Sequence, residues 1–202
     1  MKVLGLTGPS GSGKGYTERV FSSFGVPFID TDGVYHALVS NDSPCTRELR
    51  THFGNFVIRK DGALDRKALA THVFCGGEEE KKRLALLNSI THKYVLDNVR
   101  AWMTEKRNQG YKAVMIDAPL LYESGFDCEC DAVIAVLAPR ALRLQRIMER
   151  DGLSETAALS RINAQPSDDF YKERADFIIY NDADEDAVKK EAVKILSSLA
   201  LL

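Results

Sequence analysis

The sequence predicts an α/β fold in which about five mostly parallel strands form a sheet flanked by helices. Short apolar runs rich in branched residues have the length of buried strands, and helical patterns separate them. Connections that contain helices join parallel neighbours by right-handed crossovers. Ligands bind such sheets at the carboxyl ends of the strands, so the residues after each strand are candidate site residues. The runs are 3–6, 26–29, 113–116, 132–137 and 177–180.

The first run leads into a glycine-rich loop, residues 8–14, that spells G-x-x-x-x-G-K. Its glycines let backbone N–H groups point at a polyphosphate, and a helix beginning near Lys14 would add its positive dipole end. Lys14 itself can reach the outer phosphates. A glycine-rich turn with a solvated lysine is the alternative, but the strand before and the helix after favour a nucleoside triphosphate site.

The residue after Lys14 departs from the usual phosphate loop. That position ordinarily carries Ser or Thr, whose hydroxyl binds Mg²⁺, whereas this chain has Gly15. Thr17 does not replace the hydroxyl, because two residues along a helix turn a side chain roughly 200° away. Water can fill the position, since Mg²⁺ commonly keeps several waters, and Asp30, Asp32 or Asp117 would supply the charge.

Two carboxylates, Asp30 and Asp32, follow the second run. They could hold Mg²⁺ or take a proton from an acceptor hydroxyl, and the alternative is an N-cap for a helix over 33–39. Phosphoryl transfer to an alcohol requires a group that takes the proton, which favours catalysis by Asp32. Asp117 and Pro119 follow the third run and should face the same crevice.

Two connections are longer than a crossover needs. The first carries helical patterns over 65–73 and 78–106, which predicts a helical subdomain. The second begins with a basic helix after Pro139 and continues with a helix capped by Ser154. We therefore expect a single domain with a helical insertion, a lid and a closing helix within 183–202. The predicted core is 1–38, 111–137 and 176–202, with the insertion at 39–110 and the lid at 138–175.

Arg143, Arg146 and Arg150 recur at intervals of three and four, which places them on one helix face. Guanidinium groups suit phosphate oxygens because they donate two hydrogen bonds at once. Beside a phosphate loop, the pattern favours a lid that closes over the transferring group. The alternative is a solvated face that pairs with Glu149 and Asp151.

Composition excludes several classes. With 45% hydrophobic and 28% charged residues and a formal net charge of −2, the chain has no electrostatic feature of a nucleic-acid-binding protein. No stretch approaches membrane length, and residues 3–8 are too short for a signal segment. Four scattered cysteines favour a reducing, cytoplasmic setting. Cys128 and Cys130 could form half of a zinc site, although incidental thiols are favoured, and the four histidines (His36, His52, His72 and His92) are too scattered for a metal signature.

Several segments occur in the order and with the residues of one known family. They are Gly5-Leu6-Thr7-Gly8 with Gly11-Ser12-Gly13-Lys14, then Ile29-Asp30-Thr31-Asp32, Gly62-Ala63-Leu64-Asp65-Arg66, Leu87-Asn88 with Ile90 and His92, Pro119-Leu120-Leu121-Tyr122-Glu123, Gln145-Arg146 with Arg150-Asp151-Gly152, Ala158, Arg161-Ile162 and Gln165, and Ala175-Asp176 with Asn181. Together they resemble the dephospho-coenzyme A kinase family over nearly the whole chain.

The resemblance implies a P-loop kinase fold and ATP-dependent phosphorylation of the ribose 3′-hydroxyl of dephospho-CoA, the last step of coenzyme A synthesis. It implies Mg²⁺ as cofactor, with Asp30 and Asp32 as metal ligands, and catalysis by Asp32, Lys14 and Arg146. The implied ATP-binding residues are Gly11, Ser12, Gly13, Lys14, Gly15, Tyr16, Arg143, Arg150 and Asn181. The implied substrate-binding residues are Asp32, Arg66, His92, Leu120, Tyr122 and Glu123.

The chain departs from the family pattern at Tyr16, Lys93, Pro166 and Tyr171, where Thr, Pro, Met and Lys are usual, and at Gly15. Two alternatives therefore stay open: a related kinase with another small acceptor, and a nucleotide- or CoA-binding homologue whose catalysis is weakened by Gly15. The expected partners are ATP and dephospho-CoA, without nucleic acid or membrane, in a monomer or small homo-oligomer.

Overall fold

A computed structural model of the chain describes residues 1–182 and 185–202. Within these residues, five strands form one sheet in the order β2-β3-β1-β4-β5. The β1–β3, β1–β4 and β4–β5 pairs are parallel, which confirms the predicted fold class. The strands are β1 Lys2–Thr7, β2 Phe28–Asp30, β3 Ala113–Asp117, β4 Ala132–Leu137 and β5 Phe177–Tyr180.

The predicted helices are present. In chain order, the helices are α1 Lys14–Ser23, α2 Thr31–Val39, α3 Pro44–Phe53, α4 Arg66–Val73, α5 Gly77–Asn108, α6 Arg140–Asp151, α7 Glu155–Asn163, α8 Asp168–Lys172 and α9 Glu185–Ser198. Ser154 caps α7 as predicted, since its hydroxyl accepts the N–H of Ala157. The predicted closing helix corresponds to α9, and residues 183 and 184, where its predicted segment begins, lie outside the described residues.

The helix α3 was not predicted, although the chain carries a local signal for its start. Ser43 and Thr46 form a capping box, in which each side-chain oxygen accepts the backbone N–H of the other residue. Pro44 is the first helical residue, where its missing N–H costs nothing. The short helix α8 was also not predicted, although Ser167 caps it by accepting the N–H of Phe170.

The sheet positions the phosphate loop through its register. Every residue of β3 and β4 is buried, because helices cover both faces of a parallel sheet. Leu6 of β1 lies opposite Asp117 of β3 and Ile134 of β4. The carboxyl ends of these strands therefore lie at one edge, and the loop between β1 and α1 begins there.

The chain forms two compact units. The first contains Met1–Ile29 and Glu105–Leu202, and its core includes Leu4, Phe21, Met115, Ile134 and Ile195. The second is Asp30–Thr104, and its core includes Leu49, Phe53, Val57, Leu69 and Val73. The division into a single domain with insertion and lid stays a prediction. Among residues 1–182 and 185–202, no helix combines the length and the apolar character needed to span a bilayer.

Candidate active site

Three glycines give the phosphate loop its shape. Gly8, Gly11 and Gly13 have φ angles of 141°, 79° and 96°, which other residues rarely adopt. Neighbouring backbone also leaves no room for a side chain: a Cβ on Gly8 would overlap the carbonyl oxygen of Val136, and one on Gly11 would lie 2.7 Å from the carbonyl oxygen of Arg143. Only glycine fits these positions, so the loop packs its backbone directly against the rest of the first unit.

The N-terminus of α1 is suited to an anion. Gly13 caps the helix without a side-chain hydrogen bond, and the first turn carries no acidic residue. The positive end of the helix dipole is therefore not compensated by a carboxylate of that turn. Lys14 Nζ donates to the carbonyl oxygen of Gly8, 3.3 Å away, which folds the lysine back over the loop. The buried hydroxyl of Ser12 has no hydrogen-bond partner among the described residues.

Arg143 holds the first half of the loop. The side chain is 5% exposed, and its Nε donates to the carbonyl oxygen of Ser10 at 3.0 Å. Its Nη atoms lie 3.4 Å from Oδ1 of Asp168 and 3.3 Å from Oε1 of Gln165, which also accepts the N–H of Ser10. Burial lowers the pKa of the guanidinium, and the carboxylate of Asp168 opposes that shift. Arg143 thus braces the loop from α6.

Arg146 holds the second half of the loop from the next turn of α6. Its Nη1 donates to the carbonyl oxygens of Gly11 and Ser12, at 3.2 and 3.3 Å. The same nitrogen lies 3.2 Å from the carbonyl oxygen of Asn181, and Nη2 lies 3.3 Å from its Oδ1. The two arginines bring positive charge to the loop while their donors fix its carbonyl groups.

Arg150, the third arginine of the series, binds a carboxylate instead. Its Nε and Nη2 donate to Asp151 at 2.8 and 2.9 Å, and Arg161 of α7 binds the same carboxylate. Hydrogen bonds from Arg150, and then from Arg161, lower the pKa of Asp151 to about 2. This ion pair is the alternative predicted for Arg150, and a role of Arg150 in ATP binding stays a prediction.

The segment after β3 carries three residues of the predicted acceptor site. Leu120 is 50% exposed. The ring of Tyr122 packs edge-on against Phe170, with 5.6 Å between centroids, and its buried hydroxyl has no partner among the described residues. Burial raises the pKa of Tyr122 to about 12. Glu123 follows in the same turn and acts electrostatically on Tyr171, whose pKa burial raises to about 12.

In the second unit, Asp30 has the role of a helix cap. Its Oδ1 accepts the backbone N–H of Asp32 at 2.9 Å, and Asp32 lies in the first turn of α2. Arg66 is the first residue of α4, and its Nη2 donates to Nδ1 of His36 at 2.7 Å. His92 lies on α5 and is half-buried. Asp30 thus forms the helix cap that its position also predicted, and its role as a metal ligand stays a prediction.

Lys93, one of the departures from the family pattern, has a structural partner. Its ammonium group pairs with the carboxylate of Glu48 on α3, which also accepts the hydroxyl of Tyr94. The hydrogen bond from Lys93 is the first cause of the lowered pKa of Glu48. Within the second unit, this ion pair connects α5 to α3.

The residues of the first unit fit a bound Mg²⁺. The described part of the chain has no cluster of three or more ligating side chains, but Mg²⁺ commonly needs only one or two carboxylates beside substrate phosphates and water. Asp117 is 8% exposed and is the last residue of β3. It lies opposite Leu6 of β1, and the phosphate loop begins just after Leu6. A Cβ on Gly15 would meet no atom nearer than Arg19 Nη1 at 4.0 Å, so the missing hydroxyl leaves room for water.

Comparisons with known proteins agree on one family. A family model described as dephospho-CoA kinase matches residues 2–186. The chain is 37% identical over 199 residues to the dephospho-CoA kinase of Anaeromyxobacter dehalogenans, covering 98% of this chain and 92% of the relative. Among solved structures, it resembles the dephospho-CoA kinase from Campylobacter jejuni at a TM-score of 0.68 and 27% identity, covering 98% of both chains. It also resembles TT1252 from Thermus thermophilus at a TM-score of 0.80 and 29% identity, covering 98% and 97%.

Proposed function

Because the chain belongs to the dephospho-CoA kinase family, we propose that it transfers the γ-phosphoryl group of ATP to the ribose 3′-hydroxyl of dephospho-CoA, which yields coenzyme A. The family match over residues 2–186 is the observation that carries this proposal. The braced phosphate loop supports it, because a kinase needs such a site for its donor. Free thiols at all four cysteines are consistent with action in the cytoplasm.

On the donor side, the loop and the N-terminus of α1 hold the phosphates of ATP, with backbone N–H groups of Gly11, Ser12 and Gly13 among the donors. Lys14 exchanges its bond to the Gly8 carbonyl for the outer phosphates. Arg143 and Arg146 act on the donor through the loop, since their guanidinium groups bind its carbonyl oxygens. The remaining proposed ATP contacts are Gly15, Tyr16, Arg150 and Asn181.

On the acceptor side, Asp32 takes the proton of the 3′-hydroxyl as the new bond to phosphorus forms. Asp30 fixes the backbone at Asp32 by capping α2, so the base lies on an ordered first turn. For the acceptor, we carry over the substrate-binding positions that the family resemblance implies, namely Arg66, His92, Leu120, Tyr122 and Glu123. The charged members suit the phosphate and amide groups of dephospho-CoA.

Mg²⁺, when bound, neutralises the charge that develops on the donor phosphates. Asp30 and Asp32 are the carboxylates we assign to it, with Asp117 as the alternative source of negative charge. Asp117 is nearly buried beside the start of the loop, and Asp30 commits only one of its two oxygens to the helix cap. The open space at Gly15 would leave room for one of the waters that Mg²⁺ commonly keeps.

Chromatographic detection of CoA formed from dephospho-CoA and Mg·ATP tests the proposed function. Asp32→Asn should lower kcat by about 10²- to 10⁴-fold, because an amide cannot accept the proton. Asp42→Asn is the matched control: it removes an exposed carboxylate of the same unit that pairs with Arg47, and should leave kcat as it is. Absence of CoA with the natural chain would overturn the function, and full activity of Asp32→Asn would overturn only the assignment of the base.

A further inference from the structure

An open cleft in the second unit is lined by basic side chains. Its volume is about 360 Å³, within the range of about 300–1,000 Å³ that is usual for sites of small ligands. Four cations line this basic cleft, and they face the single carboxylate of Asp42. The cations are Arg47 and Arg50 of α3, and Arg59 and Lys60 of the segment before α4. The basic cleft is therefore positive, although the whole chain carries a formal net charge of −2.

Two of the four cations have no counter-charge. The other two make exposed ion pairs, which are Arg47–Asp42 at 3.4 Å and Arg59–Asp61 at 3.3 Å. In the part of the chain that the structure describes, the side chains of Arg50 and Lys60 have no hydrogen-bond or ion-pair partner. Arg50 follows Arg47 by three positions, so their like charges are neighbours on one face of α3 and repel each other. An anion in the basic cleft would offset this repulsion.

The turn that carries Arg59 and Lys60 is fixed beside α3. The N–H of Arg59 donates to the carbonyl oxygen of Ala63 at 2.8 Å, and the N–H of Gly62 donates to the carbonyl oxygen of Arg59 at 3.0 Å. Gly62 has a φ angle of 83°, and a Cβ there would lie 2.8 Å from Cβ of Asp42. The missing side chain thus lets the turn approach the segment before α3, which brings its two cations to those of the helix.

The basic cleft lies at the end of α2 that is distant from Asp32. Asp32 is in the first turn of α2, whose nine residues make a helix about 13 Å long. At the other end, the hydroxyl of Ser43 donates to the carbonyl oxygen of Leu38 at 2.7 Å, which keeps the segment with Asp42 beside the last turn. None of the four cations lies in the segments through which the chain resembles its family. They are therefore additional to the residues assigned to either substrate.

We propose that the basic cleft binds an oligophosphate, a chain of linked phosphate groups that is either free or carried by a nucleotide. Guanidinium groups donate two hydrogen bonds at once to phosphate oxygens, and Lys60 adds a point charge. Linked phosphates carry several charges along a chain, which suits cations supplied by two separate segments better than one phosphate does. The first turn of α3 contains no acidic residue and adds its positive dipole end. This site goes beyond the proposed function and does not depend on it.

Isothermal titration calorimetry with tripolyphosphate, without Mg²⁺, tests the site in the natural chain and in Arg50→Gln/Lys60→Gln. The phosphate loop is the same in both proteins, so the difference in stoichiometry reports the basic cleft. The natural chain should bind one equivalent more than the variant. That binding should weaken about tenfold in 0.5 M NaCl, because salt screens exposed charges. Lys81→Gln/Lys82→Gln is the matched control, since it removes the same charge from exposed lysines of the same unit and should keep the extra equivalent.

The proposal is overturned if the natural chain and Arg50→Gln/Lys60→Gln bind the same number of equivalents, or if the control variant also loses the extra one. Binding of inorganic phosphate as tight as that of tripolyphosphate would overturn the assignment of an oligophosphate. An extra equivalent with ATP as well would support a nucleotide as the source, and one with tripolyphosphate alone would support the free anion.

The CoA assay distinguishes the basic cleft from the acceptor site. Arg50→Gln/Lys60→Gln should keep the natural KM for dephospho-CoA, and a raised KM would place the basic cleft in the acceptor site and overturn the proposal. No CoA from the natural chain would remove the proposed function, whereas the calorimetric comparison would still decide whether the basic cleft binds an oligophosphate.

Discussion

Replacing Arg143 by Met tests whether this buried guanidinium braces the phosphate loop. The change keeps most of the hydrocarbon stem and removes the 3.0 Å bond to the carbonyl oxygen of Ser10. A hydrogen bond from a charged group contributes about 1.5–3 kcal/mol, and the longer contacts to Gln165 and Asp168 add little. Relief from burying the charge offsets part of the loss. We expect the free energy of unfolding to fall by about 2 kcal/mol.

Urea unfolding followed by far-ultraviolet circular dichroism measures this loss. With a slope of about 2 kcal/mol per molar urea, the midpoint should fall by about 1 M. Arg150→Met is the matched control, because it changes the same residue type on the same helix but removes only a surface pair with Asp151, which should shift the midpoint far less. Equal midpoint shifts for the two variants would refute the bracing role of Arg143.

Two further predictions concern the metal and the lid. Gly15→Ser should fold normally, since the nearest atom to a Cβ at this position is Arg19 Nη1 at 4.0 Å. Because the serine hydroxyl restores a ligand, the Mg²⁺ concentration that gives half-maximal rate should fall about tenfold. An unchanged Mg²⁺ titration would contradict this account of Gly15. The lowered pKa of Asp151, about 2, means that its contribution to stability is complete above about pH 4 and is lost as the pH falls towards 2. Asp151→Asn should therefore show a smaller fall in thermal midpoint between pH 4 and 2 than the natural chain, and parallel curves would argue against the ion pair with Arg150.

The sequence predicted well those elements whose structure is determined by a pattern among neighbouring residues. The run 132–137 is a strand with the predicted bounds, because a strand buried on both faces must be apolar throughout. The loop at Lys14 is recognisable because its glycines, strand and helix are contiguous. The helix α3 also had a local signal in Ser43, Pro44 and Thr46, so its omission was a missed capping pattern and not a limit of the sequence.

The parts of the site that sequence could not give depend on distant contacts. Helical spacing placed Arg143 and Arg146 on one face, but their acceptors in the loop lie more than a hundred residues earlier in the chain. The bond between His36 and Arg66 spans thirty residues, and nothing in the pattern around His36 distinguishes it from a surface histidine. Such pairings follow from how the helices pack, which no local pattern encodes.

The most direct test of the central claim is the acceptor dependence of phosphoryl transfer by the natural chain. Purified protein with Mg·ATP should convert dephospho-CoA into a product with the mass and retention time of authentic CoA. Adenosine carries the same ribose hydroxyls without the diphosphate and pantetheine, and should be phosphorylated far less efficiently. Transfer to adenosine as readily as to dephospho-CoA, or no CoA at all, would contradict the assignment of this chain as a dephospho-CoA kinase.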